Sequence, residues 1–516
     1  MNLTNTIKNP PQKQYIAIFL ITYFIIMLLQ LMIFTPGGRS DDSEALLMGQ
    51  HLALGYDGHN PPLFYWLTWI GARIFGDGNP SIVFGLRMTF LFLMVLGTYQ
   101  LSLMIKGNSW LALAAGLAPL SFLHLHWYAI SDLTHTLMAG AIYPWVMICI
   151  IQISRKKDIS SYIYLGILIT AGLHSKYTFA VFTTSLLIAA LINKTYRSLL
   201  FKPHILLTIL IPLILSIPHF TWILDNTHII SEKLDERIGF GGDTASTHPI
   251  LDGLKNLSQS TISVIIFPFG LLALLTFGPT LIKPQKKYSD NSHCNDHLTL
   301  IRNTIGIALT LIIIYILATQ ATRIAPHHLF FLCLLPVWLI CRLPKSKNTT
   351  AAAKKFIIAT TIITAISAAS FGPRAIYKSN NTDCSERRCS EFLPYAEYAE
   401  SMLEAGYSGG GSLIVLSHHR YLPPAQITRY LPDTIAATPH YPTSLKQLEN
   451  SGRHSSPCII AWHEKDHDAI EKDFPLNTKK TKPQTTMTIE KRIKLTYLIK
   501  ENCIQAPPKT TEAITP

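Results

Sequence analysis

The feature that most constrains the fold of this sequence is a series of apolar runs, many long enough to cross a lipid bilayer. A hydrocarbon core about 30 Å thick needs roughly 20 apolar residues as a helix. Hydrophobic residues make up 48% of the 516 residues and charged residues only 15%. Candidate spans cover residues 14–34, 81–105, 109–128, 136–153, 160–174, 177–193, 205–224, 259–282, 303–320, 327–342 and 356–371. The sequence therefore predicts an α-helical polytopic membrane protein with about eleven transmembrane helices.

The charges in the loops between these runs predict the orientation of the chain. With the N-terminus in the cytoplasm, the inner loops carry the basic residues Lys106, Arg155, Lys156, Lys157, Lys194, Arg197, Lys202, Lys283, Lys286, Lys287, Arg342, Lys345, Lys347, Lys354 and Lys355. The opposite loops carry the acids Asp41, Asp42, Glu44, Asp57, Asp77, Asp132, Asp225, Glu232, Asp235, Glu236, Asp243 and Asp252. This asymmetry follows the positive-inside rule, and an odd number of spans places the C-terminal region outside. The same rule accounts for the net charge of +13, so nucleic acid is not an expected partner.

The change in composition near residue 371 divides the chain into two predicted domains. Residues 1–371 form the transmembrane domain, and residues 372–516 form a smaller domain outside the cytoplasm. In the second domain, strands are predicted at 411–417, 434–438, 457–462 and 487–499, and helices at 395–405 and 444–450. Strands that alternate with helices indicate a small α/β domain.

Four of the eight cysteines lie in this C-terminal domain: Cys384, Cys389, Cys458 and Cys503. An even number of cysteines in an oxidising compartment predicts disulfides. The simplest pairing is Cys384 with Cys389 and Cys458 with Cys503. A zinc site is the alternative.

The first loop (residues 35–80) has the clearest pattern outside the spans. Ser40 is predicted to cap a helix that begins at Asp41, and a second helix is predicted over 63–75. The second helix is rich in aromatic residues, which is typical of helices that lie in the plane of the membrane surface. Two interpretations of Asp41 and Asp42 stay open from composition alone. They cap and solvate a helix, or one of them is a general base at the boundary between lipid and water.

Several motifs resemble those of a known family. Residues Asp41–Leu47, Gln50–Tyr56 and Asn60–Leu63 resemble the first outer loop of the bacterial family related to dolichyl-phosphate-mannose protein mannosyltransferases. These are GT-C-fold enzymes, a group that also includes the aminoarabinose transferase acting on lipid A. The family has His-Pro-Pro or Gln-Pro-Pro where this chain has His59 one residue further from the prolines.

The resemblance continues along the chain. Ser131-Asp132 is similar to a Ser-Asp or Thr-Asp pair in the second outer loop of the family. Gly172–Thr178 resembles the Gly-Leu-x-Ser-Lys-Tyr motif, and Ala325–Leu329 resembles a later outer loop.

The resemblance implies an enzyme of the bacterial cytoplasmic membrane, with its C-terminus in the periplasm. Such an enzyme transfers a sugar from a polyprenyl-phosphate carrier to a hydroxyl of a glycolipid, polymer or protein in the cell envelope. By this resemblance Asp41 is the expected base, Asp42 its partner, and Asp132 an aid in positioning the acceptor. The expected substrate-binding residues are Tyr56, His59, Arg87, Lys176, Tyr177, Arg323, His327 and His328.

Since lysine and arginine side chains can neutralise the phosphate, no metal or other cofactor is expected, although an acid pair is able to hold a divalent cation. The main alternative function is a transporter or flippase of a lipid-linked substrate, since Pro212, Pro218 and Pro268 interrupt spans. A sensor or scaffold with an exported domain is a third interpretation.

Overall fold

The computed structural model describes residues 11–107, 109–122, 124, 125, 130, 132–156, 158–229, 247–263, 267, 269–282, 292–381, 390–416, 423–453, 457–463, 484, 485 and 495–500. Within these residues, six helices are long and apolar enough to cross a membrane, or up to seven if one bent pair forms a single span. The six cover Gln14–Phe34, Pro80–Lys106, Thr134–Lys156, Ile205–Asp225, Asn295–Thr319 and Lys347–Asn381. Shorter apolar helices cover Trp110–Ser121, Ile159–Ser175, Phe269–Gly278 and Pro326–Cys341. The chain is a multi-span membrane protein, and the number eleven stays a prediction.

The helices before residue 300 are α1 (Pro11–Phe34), α2 (Ser40–Met48), α3 (Leu63–Phe75), α4 (Pro80–Lys106), α5 (Trp110–Leu117), α6 (Thr134–Lys156), α7 (Ile159–Ser175), α8 (Phe179–Ile192), α9 (Lys194–Leu200), α10 (Ile205–Asp225), α11 (Pro249–Thr261), α12 (Phe269–Ile282) and α13 (Ser292–Thr319). They are followed by α14 (Leu335–Cys341), α15 (Lys347–Asn381), α16 (Tyr395–Glu404), α17 (Pro424–Thr428) and α18 (Pro442–Asn450). Turns of 3-10 helix cover Ala118–Ser121, Pro326–Leu334 and Ser390–Phe392. The strands are β1 (Ser412–Val415), β2 (Ile435–Ala437), β3 (Cys458–His463), β4 (Gln484–Thr485) and β5 (Leu495–Lys500).

The structure divides one predicted span and bends the chain sharply after another. The prediction of one helix over 259–282 was wrong, because α11 ends at Thr261 and α12 begins at Phe269. Asn256 and Ser260 of α11 donate to the carbonyls of Thr322 and Ile324, so its polar face binds protein. The predicted span over 177–193 corresponds to α8, which ends at Ile192. The side chain of Asn193, the next residue, accepts a hydrogen bond from the first turn of α9. Helices α8 and α9 meet there at 111°.

The chain divides into two compact units. Unit 1 comprises Met1–Leu28, Gly58–Leu63 and Arg87–Ser370, and unit 2 comprises Leu29–Asp57, Phe64–Leu86 and Phe371–Pro516. These units differ from the two predicted domains, because unit 2 includes most of the first loop, the end of α1 and the start of α4.

Unit 1 is a bundle of apolar helices. Only 11% of the apolar stretch of α10 is buried, and Leu213 and Ile217 are more than half exposed. Such an exposed apolar surface is suited to lipid rather than to water. Elsewhere the helices pack tightly, and the ring of Tyr143 on α6 stacks on Phe179 of α8 with 5.0 Å between centroids.

Unit 2 contains a five-stranded sheet in the order β2-β1-β3-β5-β4. Strands β2, β1 and β3 are parallel, and β5 is antiparallel to both β3 and β4. The sheet agrees with the predicted α/β character of this region. Of the predicted strand over 487–499, the described part belongs to β5 (Leu495–Lys500), and residues 487–494 lie outside the described residues. Leu413, Ile459 and Tyr497 from the sheet pack in one core with Tyr395 and Tyr398 of α16.

Candidate active site

The acid pair of the first loop lies in the first turn of α2, and its two members have different surroundings. The helix begins at Ser40 with Arg39 as its N-cap, so the prediction that Ser40 is the cap was wrong. The cause is Asp42, whose Oδ2 accepts a hydrogen bond from the Arg39 N–H at 3.1 Å. Asp42 is fully buried, whereas Asp41 is partly exposed. Asp42 therefore stabilises the start of the helix, and Asp41 is the more exposed member of the pair.

A third carboxylate, Glu44, shares the helix face of Asp41 because the two are three residues apart. Glu44 is buried and accepts hydrogen bonds from the hydroxyl groups of Tyr65 and Tyr441, the second at 3.2 Å. The motif analysis did not assign Glu44 a role. Its spacing from Asp41 was visible in the sequence, but Tyr441 lies about 400 residues further along the chain and could not be anticipated.

Gln426 of α17 holds the turn that precedes α2. Its Oε1 accepts from the Gly38 N–H at 2.8 Å, and its Nε2 donates to the Ser43 Oγ at 2.8 Å and to the Gly38 carbonyl at 3.2 Å. Gln426 is only 1% exposed, so these hydrogen bonds are shielded from water. A side chain at Gly37 would collide with Gln426, which explains the glycine there. The position of Asp41 thus depends on a residue from the C-terminal region.

The other end of α2 is attached to the sheet through Gln50. The Oε1 of Gln50 accepts from the Ala436 N–H at 2.8 Å, and its Nε2 donates to the Ala436 carbonyl at 3.2 Å. This side-chain amide therefore pairs with strand β2 as a peptide group of a neighbouring strand would. Tyr56, a predicted substrate-binding residue, donates to the His51 carbonyl at 2.8 Å and packs against the ring of Tyr65. These contacts of Tyr56 hold together the segment between α2 and α3. A contact between Tyr56 and a substrate stays a prediction.

In unit 1, the predicted site residues Arg87 and Asp132 come together. Arg87 of α4 is fully buried, and its Nη1 lies 3.5 Å from the Asp132 carbonyl. Leu133, which follows, has a φ of 71°, an uncommon value for a residue other than glycine. Asp132 is therefore held in a tight, strained turn just before α6.

Lys176 contacts the same end of α6. It follows the last residue of α7 and is 9% exposed, and its Nζ donates to the Thr136 Oγ1 at 2.5 Å. The neighbouring His135 ring nitrogen Nδ1 lies 3.2 Å from the Ser175 carbonyl. The Ser-Lys-Tyr motif therefore contacts the first turn of α6, which begins two residues after Asp132. A lysine this buried does not extend freely to the membrane surface.

Tyr177 belongs to an aromatic cluster that the sequence analysis missed. Its hydroxyl lies 3.2 Å from Nε2 of His219 on α10, and the two rings stack. The His219 ring also lies near His174 and stacks on Trp222, with centroid distances of 5.7 and 5.9 Å. The available signal was a histidine beside Pro218 in an otherwise apolar span.

The remaining predicted residues lie in two segments of unit 1 and in the C-terminal region. Arg323 is exposed, and the rings of His327 and His328 lie 4.4 Å apart at the start of a 3-10 helix. His328 Nδ1 accepts from the Ala325 N–H, so it caps that helix. His59 is partly exposed in the turn of Gly58–Leu63.

Of the four cysteines in the C-terminal domain, only Cys458 lies among the described residues. Cys458 is buried and disulfide-bonded. Cys384, Cys389 and Cys503 lie outside the described residues, so the predicted pairing stays a prediction.

Two buried carboxylates of the first loop, Glu44 and Asp57, offer the oxygen ligands that a divalent cation takes. The expectation that no metal is needed stays untested.

Comparisons with known proteins agree with these motifs. A model of the dolichyl-phosphate-mannose-protein mannosyltransferase family matches residues 59–222. The lipopolysaccharide core galacturonosyltransferase RgtB of Rhizobium johnstonii is 27% identical over 278 residues, which cover 54% of this chain and 55% of RgtB. RgtA of the same organism, also named a lipopolysaccharide core galacturonosyltransferase, is 24% identical over 335 residues, which cover 63% of this chain and 64% of RgtA. The chain thus spans less than two thirds of these curated relatives.

The crystal structure of ArnT from Cupriavidus metallidurans bound to undecaprenyl phosphate has a similar fold. Its TM-score is 0.63 at 9% sequence identity, and the match covers 94% of this chain and 98% of that chain. The fold is therefore that of the GT-C membrane glycosyltransferases. Over part of its length, the chain is similar to the dolichyl-phosphate-mannose-protein mannosyltransferase family and to the two lipopolysaccharide core galacturonosyltransferases.

Proposed function

We propose that this protein is a glycosyltransferase that moves a sugar from a polyprenyl-phosphate carrier to a hydroxyl group of an envelope glycolipid. The observation that carries the proposal is the pair of acids in α2. Asp42 accepts a hydrogen bond from the Arg39 N–H at the start of the helix. Asp41 is partly exposed and lies on the same helix, which is anchored at both ends. The relatives named as galacturonosyltransferases of the lipopolysaccharide core support a glycolipid acceptor, and the undecaprenyl phosphate bound by ArnT supports the carrier.

In the proposed reaction, the carboxylate of Asp41 takes the proton from the acceptor hydroxyl as its oxygen attacks the anomeric carbon. The bond between the anomeric carbon and the phosphate oxygen breaks, and the polyprenyl phosphate leaves with the electron pair. One attack of this kind inverts the anomeric configuration. The reaction takes place on the outer face of the cytoplasmic membrane, according to the predicted orientation.

Lys176 and Arg87 are proposed to stabilise the charge on the leaving phosphate. Both side chains are buried in unit 1, and a buried cation acts more strongly on an anion than an exposed one does. The Thr136 hydroxyl accepts a hydrogen bond from the ammonium group of Lys176 and orients it.

The test is to replace Asp41 by asparagine in cells that otherwise lack the protein, and to compare their envelope glycolipids by mass spectrometry. Loss of a general base lowers such rates by about 10²–10⁴-fold, so the added sugar should disappear. Glu449→Gln is the matched control, because Glu449 is an exposed acid of α18 in the same unit. Normal glycolipids with Asp41→Asn would exclude Asp41 as the base. A flippase would instead alter the sidedness of a lipid without forming a new glycosidic bond.

A further inference from the structure

A polar cavity of about 510 Å³ lies within unit 2. Ligand pockets typically measure about 300–1,000 Å³, so the cavity has room for more than a simple ion. Its wall combines the first loop with α17, the segment around β2 and the end of the turn after α18. The charged and titratable residues that line it are His51, Arg73, Asp77, Arg429, Asp433 and Arg453.

The cavity has an excess of positive charge. Arg73 pairs with Asp77 at 2.5 Å, and Arg453 pairs with Asp433 at 2.7 Å. Arg429 is exposed, and within the described part of the chain no carboxylate lies within 4.0 Å of it. Its guanidinium instead lies over the ring of Tyr430, 5.4 Å from the centroid. One arginine in the cavity is therefore uncompensated, with a planar set of donors suited to a carboxylate or a phosphate.

His51 adds a second polar group whose binding capacity is not used. Its Nε2 atom is buried and has no hydrogen-bond partner among the residues that the structure describes. Burial lowers the pKa of His51, so the ring is neutral near pH 7 and forms ordinary hydrogen bonds with hydroxyl groups. Asn79 and Thr434 also line the cavity, but their side chains are already hydrogen-bonded to neighbouring residues.

We propose that this cavity binds an anionic sugar of the acceptor, a unit that carries a carboxylate or a phosphate group. The proposal rests on the proposed function and extends it to the class of acceptor. Helix α2, with Asp41 in its first turn and His51 just beyond its end, has nine residues, about 13 Å at 1.5 Å per residue. The charged sugar is therefore remote from the hydroxyl that reacts, and its binding selects and orients the acceptor.

The experiment measures binding to the full-length protein in detergent, without any donor, by isothermal titration calorimetry. The probes are trigalacturonate, which carries carboxylates, maltotriose, which is neutral, and inorganic phosphate. We expect trigalacturonate to bind more tightly than either of the other two. Arg429→Gln should raise its Kd by about tenfold or more, because a charge-assisted hydrogen bond is lost. Arg429→Lys keeps the charge but loses the planar geometry. Its Kd for trigalacturonate should lie between those of the unmodified protein and of Arg429→Gln.

Lys446→Gln is the matched control, since it removes one exposed positive charge of the same unit outside the cavity. An equal Kd for Arg429→Gln and Lys446→Gln would overturn the proposal. Inorganic phosphate that binds as tightly as trigalacturonate would overturn it as well, by showing a site for any anion. Because the assay needs no transfer, its result is separate from the test of Asp41. Normal glycolipids with Asp41→Asn, together with Arg429-dependent binding, would reject the proposed reaction and retain the sugar site.

Discussion

Gln426 offers the sharpest test of how the C-terminal region supports the acid pair. Gln426→Met keeps nearly the same side-chain volume and removes the three hydrogen bonds to Gly38 and Ser43. Each such bond contributes about 1 kcal/mol net, and the buried Gly38 N–H would then lack its acceptor. The turn before α2 should lose about 3 kcal/mol of local stability, which corresponds to an increase on the order of 100-fold in its opening.

Hydrogen exchange followed by mass spectrometry measures that opening directly, because exchange of protected amides reports the free energy of local unfolding. Peptides that cover residues 36–48 should exchange faster by the factor given above, whereas peptides of α6 should not change. The rate of transfer should fall with the fraction of molecules in which α2 is correctly placed.

Gln447→Met is the control for this substitution. Gln447 lies on α18 of the same unit, and its Nε2 has no hydrogen-bond partner within the described residues. The same chemical change there should leave exchange of the first loop as it is in the unmodified protein. Unchanged exchange over 36–48 in Gln426→Met would refute the reasoning that this side chain holds the turn.

Three further predictions concern the two units separately. In assays with a polyprenyl-phosphate-linked donor, Lys176→Met should reduce the rate of transfer about 10²-fold. The control Lys347→Met, at an exposed lysine, should not reduce it. Equal rates of transfer for the two variants would exclude a contact between Lys176 and the phosphate. Burial and the charges of Arg73 and Arg453 lower the pKa of His51, and Asp77 opposes them. In the unfolded chain His51 then binds a proton that it does not bind in the folded loop. The stability of the first loop should therefore fall as the pH decreases below about 6.5. Hydrogen exchange measures this dependence on pH, and His51→Gln should weaken it. Transfer should persist in a chelator, since lysine and arginine neutralise the phosphate, and a loss that added Mg²⁺ restores would instead establish a metal site.

The parts of this fold that could be predicted from the sequence are those set by local patterns. The apolar runs predict α1, α4, α6 and α10 because a helix in lipid must satisfy its own backbone hydrogen bonds and expose apolar side chains. The aromatic pattern predicts α3 over 63–75, and the structure has the same bounds, Leu63–Phe75. The motif around Lys176 contacts Thr136 in the first turn of α6, and Asp132 lies just before that turn and contacts Arg87.

What could not be predicted depends on contacts between distant residues. Gln426 and Gly38 are 388 positions apart, and Gln50 and Ala436 are 386 positions apart. No local pattern at Gln426 distinguishes a buried, fully hydrogen-bonded amide from an exposed one. The N-cap of α2 is similarly ambiguous in the sequence, because acids follow within three residues of both Arg39 and Ser40. Arg39 is the N-cap because the side chain of Asp42 accepts a hydrogen bond from its N–H.

The pairing of Gln50 with Ala436 also bears on how the sheet avoids aggregation. Strand β2 is at the edge of the sheet, and its free side presents backbone groups to which a strand of another molecule can add. The side chain of Gln50 is hydrogen-bonded to both the N–H and the carbonyl of Ala436, so the first loop blocks intermolecular pairing at this edge of the sheet. A fragment limited to residues 371–516 would lack Gln50 and the rest of the first loop. Its exposed edge would favour self-association, and studies of the isolated region would need the first loop supplied in the same chain.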